Sequence, residues 1–168
     1  MVFNDGVVRG QGTGDTANGI GHGLRFIGGA GTDGTAVFTG DVVNNGVIAG
    51  SSDSELAAGI SIESVGLSET IVNTGVISGS VVAIDASTAT SSINVFNDGA
   101  IEGDVLLGSS NDVFTITAAS SFDGALNGGQ GFDVLNVNFD SFEAGRDFVS
   151  SIDISSIEQI NIAGQRFI

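Results

Sequence analysis

The phrase Asn-x-Gly-x-[Val/Ile]-x-Gly occurs four times, as Asn4-Asp-Gly-Val-Val-Arg-Gly10, Asn44-Asn-Gly-Val-Ile-Ala-Gly50, Asn73-Thr-Gly-Val-Ile-Ser-Gly79 and Asn97-Asp-Gly-Ala-Ile-Glu-Gly103. A fifth, decayed copy reads Phe122-Asp-Gly-Ala-Leu-Asn-Gly128, so the starts at 4, 44, 73, 97 and 122 are 40, 29, 24 and 25 residues apart. A unit of about two dozen residues is too short to bury its own apolar face, so successive units must stack to make a core. The repeat therefore restricts the chain to architectures in which equivalent residues of neighbouring units lie on top of one another.

The residues between the copies also fall into columns. Leu24-Arg-Phe26, Ile60-Ser-Ile62, Val82-Ala-Ile84 and Val105-Leu-Leu107 each set two apolar residues around a residue of opposite facing, the period of a strand. A further strand leads into each asparagine, with Val42-Val43, Ile71-Val72 and Ile93-Asn-Val95-Phe96. Three short strands per coil, rich in Val, Ile and Phe and punctuated by glycine, predict an all-β parallel β-helix (β-solenoid). Each strand then pairs with its equivalents in the coils above and below at a spacing of about 4.8 Å. The predicted inward columns are Val8/Ile48/Ile77/Ile101/Leu126, Leu24/Ile60/Val82/Val105 and Phe26/Ile62/Ile84/Leu107. Asn4, Asn44, Asn73 and Asn97 then share one corner, where identical amides bond along the stack as a structural ladder. The glycines at motif positions three and seven fit corners and close backbone approach, and none opens a helix as a nucleotide-binding loop requires.

Twenty acidic residues against four arginines give a net charge of -16, which disfavours nucleic acid and anionic lipid as partners. With 41% apolar residues, 27 glycines and no proline, the chain is too hydrophobic for a disordered tail and too glycine-rich for a helical bundle. Absence of cysteine removes disulfides, thiol chemistry and cysteine metal sites. Neither a signal peptide in Met1-Val-Phe-Asn-Asp5 nor an apolar run of about 18 residues is visible, so no transmembrane helix is expected. No linker interrupts residues 1–168, which read as one domain with a glycine-rich loop excursion over 10–35 and C-terminal closing coils over 104–168. Smaller insertions lie at 51–57, with Asp53 and Glu55, and at 64–69.

Alternation of the same kind continues through Val105-Leu-Leu-Gly-Ser-Ser-Asn-Asp-Val-Phe-Thr-Ile116, Phe122-Asp-Gly-Ala-Leu-Asn-Gly-Gly-Gln-Gly-Phe-Asp-Val-Leu-Asn136 and Ile157-Glu-Gln-Ile-Asn-Ile-Ala-Gly164. Together with the repeat phrase, these segments resemble the passenger regions of bacterial autotransporters and related surface adhesins. The resemblance implies a right-handed coil, an extracellular or cell-surface location, and a non-enzymatic role as a spacer or as an adhesive, self-associating surface. The implied partners are further copies of the chain or host-surface and matrix glycans and proteins. The outer-membrane barrel, linker helix and signal peptide of such proteins have no counterpart in these residues.

Three groups of residues are candidates for function. Gly128-Gly-Gln-Gly-Phe-Asp-Val-Leu-Asn136 matches the nonapeptide Gly-Gly-x-Gly-x-Asp-x-Leu-x, whose aspartates and carbonyls bind calcium in a stacked roll. Asp112, in Gly108-Ser-Ser-Asn-Asp112, lies 21 residues before Asp133, so a calcium site at Asp112 and Asp133 stands as an alternative to aspartate-capped turns. Gly28-Gly-Ala-Gly-Thr-Asp33 is a further partial match. The triplet Gly21-His22-Gly23 is found in pectin-cleaving β-helix hydrolases, but their neighbouring paired aspartates have no counterpart here. A polysaccharide-acting enzyme is thus the remoter alternative, and no catalytic residue is assigned. Finally, alternation turns Val43, Val72 and Phe96 before the asparagine, and Val7, Val47 and Val76 after it, outward as an apolar interaction stripe unless the excursion covers it. The first motif leaves little room for a cap, which predicts end-to-end stacking or dimerisation through the first coil, with Phe167 and Ile168 helping to close the other end.

Overall fold

The computed structural model describes residues 1–12, 21–27, 37–38, 40–52, 57–63, 66–67, 70–139 and 152–164. Every regular element among them is a strand, and every ladder between strands is parallel. The first sheet holds β1 (Val2–Asn4), β5 (Val42–Asn44), β9 (Thr70–Asn73), β11 (Asn94–Asn97), β13 (Val113–Thr117), β16 (Val134–Phe139) and β18 (Gln159–Gly164), side by side in that order. The second sheet runs along β2 (Val7–Gly12), β6 (Val47–Ser52), β10 (Val76–Thr88), β12 (Ala100–Leu106), β15 (Ala125–Asn127) and β17 (Asp153–Ser155). It also takes in β3 (Leu24–Ile27) beside β7 (Ile60–Glu63), which pairs with β10, and β14 (Ser121–Asp123) beside β12. A small third sheet pairs β4 (Val37–Phe38) with β8 (Gly66–Leu67). The chain thus alternates between the two large sheets, and each strand's neighbours come from the preceding and following repeats.

Register follows the inward columns wherever the repeat phrase is intact. Val8, Ile48, Ile77 and Ile101 are stacked partners, and the three isoleucines are at most 1% exposed. In the first sheet Val2, Val42, Ile71, Val95, Phe114, Leu135 and Ile160 form a column, which between Val42 and Leu135 is fully buried. Each such side chain contributes on the order of 1.5–3 kcal/mol, which is what offsets the entropy of ordering a glycine-rich backbone. Close stacking explains the motif glycines. A Cβ on Gly46 or Gly75 would run into the carbonyl oxygen of Gly6 or Gly46 one layer away, and Gly103 has φ +114°, in a region L side chains avoid.

Three expectations are corrected by the register. The strand of the repeat phrase and the predicted strand that follows it are not separate, because β10 and β12 run through both rows and join them in one nine-stranded sheet, while the strand before each asparagine belongs to the other large sheet. The partner of Ile60 and Val105 is Ile84, not Val82, so Ile84 belongs to the second column rather than the third. The cause is a pair of register irregularities in β10, between Ser78 and Val82 and between Val82 and Ile84, which add residues and turn Val81 out to 50% exposure. Lastly, Phe122 rather than Leu126 stacks on Ile101, while Leu126 stacks on Val105. The decayed copy therefore matches the end of the motif, with Phe122-Asp-Gly beneath Ile101-Glu-Gly, and Gly124 packs against Gly103. A turn closed by Ser120 N–H on the Thr117 carbonyl at 3.2 Å replaces the asparagine corner in this repeat.

Of the predicted 10–35 excursion, Leu24–Ile27 is a strand of the second sheet and Gly21 bridges Ser51. Residues 13–20 and 28–36, Asp53, Glu55, Phe167 and Ile168 lie outside the described residues. No helix among the described residues is long and apolar enough to cross a membrane.

Candidate functional site

The asparagine corner is a continuous ladder of side-chain amides. Asn4 Nδ2 donates to Asn44 Oδ1 at 2.8 Å, Asn44 to Asn73 at 2.7 Å and Asn73 to Asn97 at 2.8 Å. The same nitrogens reach the carbonyls of Val47, Val76 and Ala100 at 3.0–3.1 Å, and Asn97 Nδ2, beyond which Ile116 takes the column, reaches the Ser121 carbonyl at 3.2 Å. Asn44, Asn73 and Asn97 are wholly buried. Both protons of an interior amide are thereby engaged, so these side chains have nothing left to offer a sugar.

Outside this corner runs a second, solvent-facing polar row. Asn45 Nδ2 donates to Asp5 Oδ1 at 3.0 Å, Thr74 Oγ1 donates to Asn45 Oδ1 at 2.8 Å, and the Thr117 hydroxyl bonds Asp98. It separates the predicted apolar stripe into two rows on different sheets. Phe3, Val43, Val72 and Phe96 are in register on the first sheet, and Val7, Val47 and Val76 on the second, followed by Ala100. Phe3, Val7 and Phe96 are 57%, 61% and 37% exposed, and the four inner valines are half-buried. Phe3 was not singled out from the sequence, although its place before Asn4 matches that of Val43 before Asn44.

At the opposite entry to the first sheet, register aligns Asn94, Val113, Val134 and Gln159, and hence the residues before them: Ile93, Asp112, Asp133 and Glu158. Each carboxylate caps a backbone N–H one repeat earlier. Asp112 Oδ1 accepts from Ile93 at 2.7 Å, Asp133 Oδ1 from Asp112 at 2.7 Å and Glu158 Oε2 from Asp133 at 2.7 Å, while Asp112 Oδ2 accepts the Gly108 N–H at 3.0 Å. Asp112 and Asp133 are both buried, and Asp133 Oδ2 has no hydrogen-bond partner. Three of the four aspartate oxygens thus face N–H groups, a setting of turn caps rather than of the six to eight oxygens that calcium gathers. Among the described residues no three His, Cys, Asp or Glu side chains are grouped to hold a metal ion. Glu158 escaped the sequence reading because a glutamate matches no aspartate motif, yet its place 25 residues after Asp133 is one repeat period.

Burial raises the Asp112 carboxyl to about 6 from an ordinary 3.8 and also raises Asp133. A carboxyl raised on folding contributes stability that is complete below its unfolded value and is lost as pH rises through its folded value. The chain is therefore expected to resist urea better at about pH 5 than at about pH 7.5, and Asp112→Asn should shrink that difference. A difference of equal size in wild type and Asp112→Asn would refute the assignment.

His22 sits by a third polar group. Its Nδ1 accepts the Ala58 N–H at 3.0 Å, and burial followed by the charge of Arg25 lowers its pKa from the ordinary histidine value. Arg25 Nε and Nη2 each donate to Glu63 at 2.7 Å, and Ser61 Oγ adds a bond at 2.8 Å, which together hold the Glu63 carboxyl below its usual range. Asp85 accepts from the Ser87 N–H and hydroxyl. The Arg25–Glu63 bonds tie β3 to β7, and the lowered carboxyl does not suit Glu63 to a general-acid role.

Compared with known proteins, the chain matches no family model, no curated protein and no solved structure.

Proposed function

We propose that this chain is a right-handed parallel β-solenoid module of a bacterial passenger-type protein. It serves outside the cell as a rigid, non-enzymatic spacer with an adhesive or self-associating flank. The observation that carries this reading is the pair of outward apolar rows, Phe3/Val43/Val72/Phe96 and Val7/Val47/Val76, held in line by parallel register around the asparagine corner. Rows of β-branched and aromatic side chains about 4.8 Å apart make a flat, dry surface suited to another sheet or to a matrix protein or glycan. The spent hydrogen-bonding capacity of the asparagines and the Arg25–Glu63 pairing favour a binding role over chemistry.

Val72→Ser combined with Phe96→Ser removes apolar surface from the outside of the stack, where folding cost is small. The double variant is expected to melt close to wild type and to lose about tenfold in adhesion or lateral association, a change of about 1.4 kcal/mol. Unchanged adhesion and association in a folded double variant would remove this function.

A further inference from the structure

We infer that the two ends of the stack are complementary and that copies of this chain join head to tail, the edge formed by β17 and β18 of one copy accepting β1 and β3 of the next. The inference rests on the stacked-repeat reading above but uses the ends of the stack, not its flank. Ile160 and Ile162 are 46% and 66% exposed, whereas their column partners Leu135 and Val137 one layer inside are 2% and 0% exposed. The two isoleucines continue inward columns, and among the described residues no strand pairs with the outer edge of β18 or adds a further layer to these columns.

Three columns show which partner fits. The column ending at Ile160 begins at Val2, the column ending at Ile162 begins at Asn4, and the column ending at Ile154 begins at Leu24. Adding a second copy by translation along the stack sets Val2 on Ile160 and Leu24 on Ile154, apolar on apolar, with strands running in the parallel direction of every ladder among the described residues. Asn4 falls on Ile162 without loss, because its Oδ1 accepts the Gly6 N–H at 3.2 Å and its Nδ2 is bonded to Asn44. Pairing β18 with a symmetry-related β18 would be antiparallel and would not continue these columns.

Charge points the same way. In a chain of net charge -16, the six residues of β18, Gln159-Ile-Asn-Ile-Ala-Gly164, and the three of β1, Val2-Phe-Asn4, include no charged residue. Edge strands that are meant to stay single usually carry lysine, proline or an inward charge. A contact between two different patches repeated by translation along the stack has no rotation to close it into a ring, so the product is an open, linear series.

Sedimentation velocity of the full chain over a range of concentrations tests this. Wild type should show monomer, dimer, trimer and longer species, and Ile160→Lys with Ile162→Lys, or Val2→Lys at the other end, should raise the concentration needed for assembly by about tenfold or more while circular dichroism at the assay temperature keeps the wild-type strand signal. Because each single-end variant keeps one good end, mixing the two should restore dimers and nothing longer. Strictly monomeric wild type, assembly indifferent to both edge variants, or a mixture without dimers would overturn the inference. Assembly lost in the Val72→Ser, Phe96→Ser variant but kept in the edge variants would also overturn it and would leave the lateral surface standing. The reverse pattern supports head-to-tail joining and takes self-association away from the flank.

Discussion

Asn73→Ala is expected to destabilise the chain by about 2–5 kcal/mol, among the largest losses from any single polar truncation, because it strands partners on both sides at once. Asn73 is wholly buried; it accepts from Asn44 at 2.7 Å and donates to Asn97 at 2.8 Å and to the Ala100 carbonyl at 3.0 Å. A buried donor or acceptor left without a partner costs about 1–3 kcal/mol, and alanine leaves the Asn44 amide and the Asn97 oxygen close to that state, each exchanging a short bond for a long contact at 3.3 Å, to the Gly46 carbonyl and the Gly99 N–H. The neighbouring row supplies the control. Asn45 makes its bonds to Asp5 and Thr74 in solvent, so Asn45→Ala should change stability by no more than about 0.5 kcal/mol. Urea denaturation of both variants decides the matter. Equal, small losses would mean that the amide ladder is decoration on a stack held by its apolar columns alone.

Phe114→Ala is the second large effect, at about 3–5 kcal/mol. Phe114 is among the largest fully buried side chains; it lies between Val95 and Leu135 in its column, with its ring centroid 5.5 Å from that of Phe122. The layers on either side are tied by backbone ladders and by the Asp112 and Asp133 caps, so the backbone has little freedom to collapse into the void. A domain of this size is stable by only about 5–15 kcal/mol, so the variant should lose a large part of its resistance to urea. Phe132→Ala, at a ring half exposed to solvent, should be nearly silent. A loss below about 1 kcal/mol for Phe114→Ala would show that the column is loosely packed at this layer.

Among the candidate sites, the outward positions Val43, Val72, Phe96, Val47 and Val76 follow from alternation alone, since side chains two apart share a face. That they form two rows rather than one stripe does not follow. It depends on the chain turning a corner at Asn44 and Asn73, with Asn45 and Thr74 standing between the rows. The pairing of Asp112 with Asp133 is visible as a 21-residue interval, but an interval is silent on whether their oxygens face a cation or backbone N–H groups. Glu158, which completes that column, belongs to no motif and is found only by register.

What the amino-acid sequence determined by itself is the strand character of the chain, the inward column of Val8, Ile48, Ile77 and Ile101, and the shared corner of the four asparagines, because a phrase repeated without internal insertion keeps its phase. What only the tertiary structure decided is the placement of Ile84, Phe122 and Leu126 and the fusion of two strand rows into one sheet. Side-chain facing reverses with every added residue, so the extra residues of β10 and the turn at Thr117–Ser120 erase the count. Beyond those points the partner of each strand is set by which apolar side chains can be buried together, a choice made by the whole stack and not by any one repeat.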